Sequence, residues 1–204
     1  MEIGLFPLGL VLLPGEQVPL HIFEPRYREL IGECLAQSTE FGLVLADDEG
    51  MREVGTTAAV VEVLERFPDG RLDIVVEGRE RFEIVERTSG RSFLTVTVEL
   101  SPDDGSDCPS SQERDRCLAA FHALAEAAGT EPDEPTPELG DVSFWIAARV
   151  DLGTSVKQEL LEQRSPRRRA RRLVELLGRA RTTLAWMRTA SERATTNGRV
   201  EPPG

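Results

Sequence analysis

The chain has 204 residues, of which 40% are apolar and 29% charged, so it is long enough for one large globular domain or two small ones. Its 24 basic and 36 acidic residues give a net charge of −12, which on average disfavours nucleic acid and anionic lipid as partners and favours a basic or neutral one. It contains no run of about 18 apolar residues, so no membrane-spanning segment and no membrane partner is predicted.

The three cysteines, Cys34, Cys108 and Cys117, are odd in number and lack the spacing of metal ligands. A reducing compartment is the simplest interpretation of this pattern. The N-terminus carries the acidic Glu2 and no basic segment, which is unlike a signal peptide. We therefore expect a cytoplasmic protein.

Residues 3–100 are mostly short runs of valine, isoleucine, leucine and phenylalanine: VPLHIF, FGLVLA, TAAVVEVLERF, RLDIVVEG, RFEIVER and FLTVTVEL. Turn residues separate these runs. Asp69 and Gly70 between two of them predict a hairpin, because both tolerate the positive φ angles of a tight reversal. Several short strands joined by tight turns are typical of a compact antiparallel β-barrel or sandwich.

One helix is predicted to interrupt the strands. Pro25 suits a first helical position, because its missing N–H would be unpaired there in any case. Apolar residues then recur on a single face at helical spacing: Tyr27, Leu30, Ile31, Cys34 and Leu35. We expect this stripe to cover the neighbouring sheet.

The periodicity changes from two to 3.6 after a segment rich in Pro, Gly, Ser and Asp. Four helices follow, of which the third is predicted to be capped by Ser155 with Gln158, and the last to be opened by Pro166. The predicted fold class is α+β, a β-barrel with one inserted helix followed by a C-terminal helical bundle. The predicted segments are a β-rich barrel (1–103), a linker (104–112), a helical bundle (113–190) and a disordered tail (191–204).

The signatures of common enzymes are absent: G-x-x-x-x-G-K-[ST], G-x-G-x-x-G, C-x-x-C, H-E-x-x-H and G-x-S-x-G. The only lysine, Lys157, follows no glycine-rich loop, and the only histidines, His21 and His122, lie in different halves. These positions leave no phosphate-binding loop and no histidine-rich metal site. We therefore expect a non-enzymatic protein with no catalytic residue, no metal and no cofactor.

The stretch PLHIFEPRYRELIGECL concentrates polar side chains where a strand meets the predicted helix. Glu24 can accept N–H bonds from the helix start, and Tyr27 belongs to the apolar stripe. His21 lacks neighbouring metal ligands. Arg26 gains nothing from the helix dipole, so it pairs with a carboxylate or projects outward, and is the better candidate for binding. We interpret the junction as scaffold and not as an active site.

The segment FPLGLVLLPGEQVPLHIFEPRYRELIGECL resembles the start of the Lon protease N-terminal substrate-binding domain, in its stand-alone bacterial form. The resemblance continues in FGLVLA, in VGTTAAVVEVLERFPDGRLDIVVEGRERFEIVE and in FWIAARVDLGTSVKQELLEQRSPRRRARRLVELLGR. It implies a PUA-like β-barrel followed by helices. It also implies a domain that engages substrate polypeptide, while the ATPase and Ser-Lys protease parts of that protease lie in other domains.

The leading functional hypothesis is a polypeptide-binding module whose partner is unfolded or partly folded polypeptide, in connection with a protease or chaperone system. Such a module needs exposed apolar surface with a polar rim. The alternative is that the leucines before Pro14 cap the barrel core. The candidate binding residues are Leu10, Leu12, Leu13, Phe23, Arg26 and Phe67.

A second hypothesis is binding of RNA or other nucleic acid by the arginine-rich helix 166–188. Residues 164–193 hold ten arginines and only two acidic residues, so the charge of the chain is strongly polarised. The alternative is that these arginines pair with the acidic half or form a solvated face. The candidate residues are Arg167, Arg168, Arg169, Arg171 and Arg172.

A third hypothesis is self-association through the helical half as a homo-oligomer. Trp145 and Trp186 are candidate anchors of such an interface, although we expect each to fill the core.

Overall fold

The computed structural model describes residues 1–88, 91–133, 135 and 141–197. In this part of the chain, six strands and five helices are present, with one helix between strands and the rest after them, as predicted. The first strand was not among the predicted runs. In chain order they are β1 (Glu2–Leu8), β2 (Gln17–Ile22), α1 (Pro25–Gln37), β3 (Phe41–Asp47), β4 (Gly50–Arg66), β5 (Leu72–Thr88), β6 (Leu94–Leu100), α2 (Ser111–Ala128), α3 (Val142–Ala147), α4 (Thr154–Glu162) and α5 (Pro166–Asn197).

The strands pair in the order β2-β5-β4-β3-β1-β6, and β5 also pairs with β6. The last pairing closes β5, β4, β3, β1 and β6 into a ring, with β2 attached to β5 outside it. The predicted α+β fold with an inserted helix is confirmed. The barrel differs from the prediction in one pair, because β1 and β3 run parallel.

Strand β5 is one continuous strand of 17 residues where the sequence predicts two. The predicted break falls near Gly78. In the structure the N–H of Gly78 donates to the carbonyl of Glu16 at 2.9 Å, and its carbonyl accepts the N–H of Gly15 at 2.8 Å. The loop between β1 and β2 therefore binds β5 directly at Gly78.

The hairpin predicted at Asp69 and Gly70 joins β4 to β5, and Gly70 has a φ of +86°. Beyond residue 58, the only neighbour of β4 in the described pairings is β5, and β5 in turn pairs with β2. We call this three-stranded extension the arm: β2, residues 59–66 of β4 and residues 72–77 of β5. It projects beyond the closed ring.

One face of the arm is covered by α1. The predicted apolar stripe of α1 is confirmed, since Tyr27, Leu30, Ile31 and Cys34 are buried. They pack with apolar residues of the strands beneath, among them Ile22, Leu72, Ile74 and Val76. This packing leaves the opposite face of the arm, which we call its outer face, without a covering element among the described residues.

Helix α2 begins with a capping box that the sequence analysis missed. The Ser110 hydroxyl accepts the N–H of Glu113, and the Glu113 carboxylate accepts the N–H of Ser110. The predicted cap of α4 is wrong: the N-cap is Gly153, and the Gln158 side chain donates to the Val54 carbonyl at 3.2 Å. Gln158 therefore bonds to β4 of the barrel and does not cap α4.

Helices α2 and α5 lie side by side and run in the same direction, because Glu113 contacts Arg171 and the Ala127 carbonyl accepts a bond from Arg188. Trp145 packs against Phe121, with ring centroids 5.6 Å apart. The expectation that Trp186 fills the core is wrong, because 71% of its surface is exposed.

The helical half packs on the barrel through a shared apolar core. Val11, Leu13 and Leu45 of the barrel half belong to the same buried cluster as Leu173 and Leu177 of α5. In the segment predicted to be a linker, the Asp104 N–H donates to the Arg164 carbonyl at 2.8 Å. At the C-terminal end, α5 continues to Asn197, where sequence composition predicts a tail from residue 191; residues 198–204 lie outside the described residues.

Candidate functional site

The strand–helix junction is built from contacts that hold the scaffold. His21 Nδ1 lies 2.5 Å from Asp73 Oδ1 on the paired strand. Glu24 is the N-cap residue of α1 but gives no side-chain cap bond; it pairs with Arg26 at 2.8 Å. The predicted carboxylate partner of Arg26 is thus present, whereas the predicted cap bond of Glu24 is not.

Tyr27 is buried and stacks on Phe6 with ring centroids 3.9 Å apart. Burial raises the pKa of its hydroxyl, so the ring stays neutral at physiological pH. The Arg26 guanidinium lies over this ring at 4.5 Å. These partners account for the polar side chains at the junction as structural groups.

Two of the predicted binding leucines are in the core, which corrects their assignment to a binding surface. Leu12 and Leu13 are 1% and 0% exposed, and the Leu12 carbonyl accepts the Thr56 hydroxyl at 2.6 Å. The loop that holds them folds inward because Gly78, which has no side chain, admits its backbone. Leu10 is half-buried against the cluster under α1.

The remaining aromatic candidates meet at one end of the arm. The His21 ring stacks with Phe23 at a centroid distance of 6.0 Å and meets the edge of Phe67 at 6.0 Å. The Arg71 guanidinium lies over Phe67 at 4.9 Å. Phe23 is 59% exposed, which is unusual for a phenylalanine in a folded domain. We call this group, Phe23, His21 and Phe67, the aromatic tip.

The outer face of the arm extends the aromatic tip with further apolar side chains. Strand register places Pro19 opposite Val75, and Val75 opposite Glu62, in one row across the three strands. Two irregularities in β4 add Val61 and Leu64, which are 41% and 54% exposed and lie outside the cluster under α1. Apolar surface therefore runs from the tip along the outer face.

The sequence analysis missed Val61 and Leu64. Both belong to TAAVVEVLERF, a run in which strict alternation would direct apolar residues to the sheet interior. Each β-bulge shifts the alternation by one residue, so that residues from an apolar run become exposed. No residue type in this run marks a bulge in advance.

The arginine-rich run is largely paired with carboxylates of its own chain. Arg171 and Arg167 contact Glu113, Arg167 also contacts Asp107, and Arg172 contacts Glu159 at 2.7 Å. The Arg168 side chain is exposed. Because these carboxylates occupy most of the guanidinium groups and Arg169 is buried, the run from Arg167 to Arg172 presents much less positive charge than its sequence indicates.

Arg169 is wholly buried, which corrects its assignment as a phosphate-contacting residue. Its guanidinium binds Asp103 at 2.5 Å, Asp141, and the Ser143 hydroxyl at 2.8 Å. It also lies over the Phe144 ring at 3.7 Å. Asp103 in turn accepts a bond from Arg81 of β5 at 2.8 Å. We call Arg81, Asp103, Asp141 and Arg169 the ion network; it joins the barrel to the helices.

Stability at low pH is expected to depend on Glu113. Bonds from the Ser110 N–H and from Arg171 lower the pKa of Glu113 to about 2. Its stabilising contribution is complete above the ordinary pKa of a glutamate and is lost as the pH falls towards the lowered value. We expect Glu113→Gln to be less stable than the wild type at pH 7 and to show a smaller further loss between about pH 5 and 2.

Urea unfolding followed by circular dichroism at a series of pH values measures this difference. Glu126→Gln, an exposed residue of the same helix, is the matched control and should follow the wild type. Parallel curves for Glu113→Gln and the wild type would contradict the prediction.

The described part of the chain contains no group of three or more His, Cys, Asp or Glu placed to hold a metal ion. Within the same residues, each helix is too short or too polar to cross a membrane.

Comparison with known proteins identifies relatives of this architecture. Residues 2–179 match the family described as the ATP-dependent protease La (LON) substrate-binding domain. The chain is 26% identical over 196 residues to the Lon protease of Parabacteroides distasonis, covering 87% of this chain and 24% of that protein. It is 28% identical over 188 residues to the Lon protease of Porphyromonas gingivalis, covering 83% of this chain and 22% of the relative.

Two solved structures share the fold. A Lon N-terminal domain protein from Xanthomonas campestris superposes with a TM-score of 0.66 at 23% identity, covering 86% of this chain and 98% of that one. The N-terminal domain of the Lon protease of Mycobacterium avium complex superposes with a TM-score of 0.65 at 19% identity, covering 87% and 98%. The chain thus spans about a quarter of the curated proteases and nearly the whole of the solved domains.

Proposed function

Because this chain belongs to the family of the Lon protease substrate-binding domain, we propose that it binds unfolded or partly folded polypeptide on the outer face of the arm. In this proposal the chain binds the segment and does not cleave it, and a protease or chaperone system acts on what it has bound. Its described cysteines are unpaired, and a reducing cytoplasm is the proposed location.

The observation that carries the proposal is the contiguous exposed apolar surface of the arm. Phe23 of the aromatic tip and Leu64 of β4 are each more than half exposed, and the His21 ring contacts both Phe23 and Phe67. Unfolded segments expose apolar side chains that folded proteins bury, so a surface of this kind can bind them by removing apolar area from water. Aromatic anchors give such contacts most of their energy.

Binding of nucleic acid along α5 is the weaker alternative. It requires guanidinium groups free to meet phosphates, whereas Arg169 is buried and its neighbours Arg167, Arg171 and Arg172 contact carboxylates. Releasing them would break the contacts that hold α5 against α2 and α4.

Titration with a dye-labelled peptide of about ten residues, long enough to span the arm, tests the proposal. The peptide carries leucine and phenylalanine separated by serine and has no net charge. We expect Phe23→Ser with Leu64→Ser to weaken binding at least about tenfold, since each side chain contributes buried apolar area. Fluorescence anisotropy measures the dissociation constant.

The matched control is Val85→Ser with Leu94→Ser, which removes apolar side chains of similar exposure from the barrel. It should bind the peptide as the wild type does. Absence of binding to the wild type, or equal weakening by the control pair, would contradict the assignment of the arm as the binding surface.

A further inference from the structure

The outer face of the arm carries acidic side chains directly beside its exposed apolar ones. In β4, Val61 is followed by Glu62, and Leu64 is followed by Glu65. Register places Glu62 opposite Val75, and Glu65 opposite Asp73. The same apolar–acidic pair therefore occurs twice along one strand, three residues apart.

The carboxylates on this face differ in whether they already have partners. Asp73 is paired with His21, and Glu77 is paired with Arg79 at 2.6 Å. Glu62 and Glu65 are exposed, and no hydrogen bond or ion pair to either is present among the described residues. Glu62 and Glu65 therefore present two unpaired negative charges next to apolar surface, where a basic group of a bound partner can pair with them.

The basic side chains of the arm do not balance these two charges. Arg71 is held by Asp69 at 2.7 Å, and Arg28 donates to the Asp69 carbonyl on the covered side of the hairpin. Arg66, which is exposed, lies at the end of β4 in register with Leu72 of the face covered by α1, and no contact of Arg66 with Glu62 or Glu65 is present among the described residues. The chain as a whole has a net charge of −12, so its long-range field adds to the local one.

We propose that the arm selects extended polypeptide segments in which basic side chains neighbour apolar ones. The apolar side chains of the segment lie on Val61, Leu64 and Val75, and its lysine or arginine side chains meet Glu62 and Glu65. This specificity rests on the proposed polypeptide binding and adds the class of segment that is preferred. Acidic segments are disfavoured, because they bring like charges to the same carboxylates.

The expected preference is moderate, because both carboxylates are exposed to solvent. One exposed ion pair changes an affinity by about two- to fivefold, so two pairs give about four- to twenty-fivefold. Salt weakens such pairs, whereas the apolar contacts beside them change little. The preference should therefore shrink as the salt concentration rises.

Three dye-labelled peptides with identical leucine and phenylalanine positions test this specificity, with lysine, serine or glutamate at the positions between them. Anisotropy titrations on the full chain should give the order lysine tighter than serine, and serine tighter than glutamate. In Glu62→Gln with Glu65→Gln, the lysine and serine peptides should bind with nearly equal affinity. Circular dichroism checks that the variants are folded.

The control for net charge is Glu86→Gln with Glu99→Gln, which removes two exposed carboxylates from the barrel. It should keep most of the preference for the lysine peptide. If the serine peptide binds and the lysine peptide binds no tighter, the specificity is overturned while polypeptide binding stands. An equal loss of preference in both double variants also overturns it, and absence of binding by all three peptides overturns both proposals.

Discussion

Arg169→Met is expected to lower the free energy of unfolding by about 3–5 kcal/mol, the usual cost of removing one partner from a buried ion pair. Arg169 is 0% exposed and binds the carboxylates of Asp103 and Asp141. Methionine fills much of the same volume, so the loss comes from charge and hydrogen bonding more than from a cavity. Asp141, whose side chain is only 24% exposed, would lose its guanidinium partner.

The ion network connects segments that are distant in the sequence. Asp103 follows β6, Asp141 caps α3, and Arg169 lies in the first turn of α5. Burial opposes the charged form of Asp103, yet the bonds from Arg169 and Arg81 lower its pKa. Asp103 is therefore ionised at neutral pH. Breaking the network should loosen the helical half from the barrel as well as reduce stability.

Urea denaturation followed by far-ultraviolet circular dichroism measures the change. Arg168→Met is the matched control, because it removes the same charge from the adjacent exposed position and should change the unfolding free energy by less than about 0.5 kcal/mol. Arg169→Lys tests the geometry, since a lysine cannot bind two carboxylates with a planar fork. If Arg169→Met were as stable as Arg168→Met, the network would not hold the two halves together.

Gly78→Ala is expected to cost about 1–3 kcal/mol, the range of overpacking a filled core. A Cβ at this position would lie 2.2 Å from the Leu13 carbonyl oxygen, which is backbone and cannot rotate away. The backbone groups of Gly78 are bonded to Gly15 and Glu16, so β5 cannot move aside without losing them. The same contact holds Leu12 and Leu13 in the core.

Gly32→Ala is the matched control for this substitution. Gly32 lies within α1, and a Cβ there would meet nothing within 4 Å. Alanine should therefore stabilise the protein by about 0.5–1 kcal/mol, because it restricts the unfolded chain and favours the helix. Thermal unfolding of both variants compares the two glycines. A neutral Gly78→Ala would show that the loop between β1 and β2 adapts to a side chain on β5.

The candidate site could be predicted only in part. Phe23 and Phe67 were named as candidates from their place beside the predicted strands. Arg26 was also named, but it pairs with Glu24 at the strand–helix junction. Val61 and Leu64 were missed, because β-bulges reverse the alternation from which burial is inferred. No residue type marks a β-bulge in this strand, so the exposure of Val61 and Leu64 could be seen only from the pairing of β4 with β5.

The sequence by itself determined the order and type of nearly all elements. The stripe behind Pro25 predicted α1, the Asp69–Gly70 turn predicted the hairpin, and the change of period placed the helices after the strands. These features depend on residues close together in the chain. Local periodicity and turn chemistry are therefore sufficient to predict them.

Only the tertiary structure decided which side chains are buried and which are free. Arg169 meets Asp103 and Asp141 at separations of 66 and 28 residues, and Leu13 meets Gly78 of β5. In the sequence, Arg169 looks like one more exposed charge and Leu13 like an exposed residue before a turn. Their burial follows from contacts between distant segments, which form when the barrel closes and the helices pack on it. The pattern of neighbouring residues in the sequence cannot identify such distant partners.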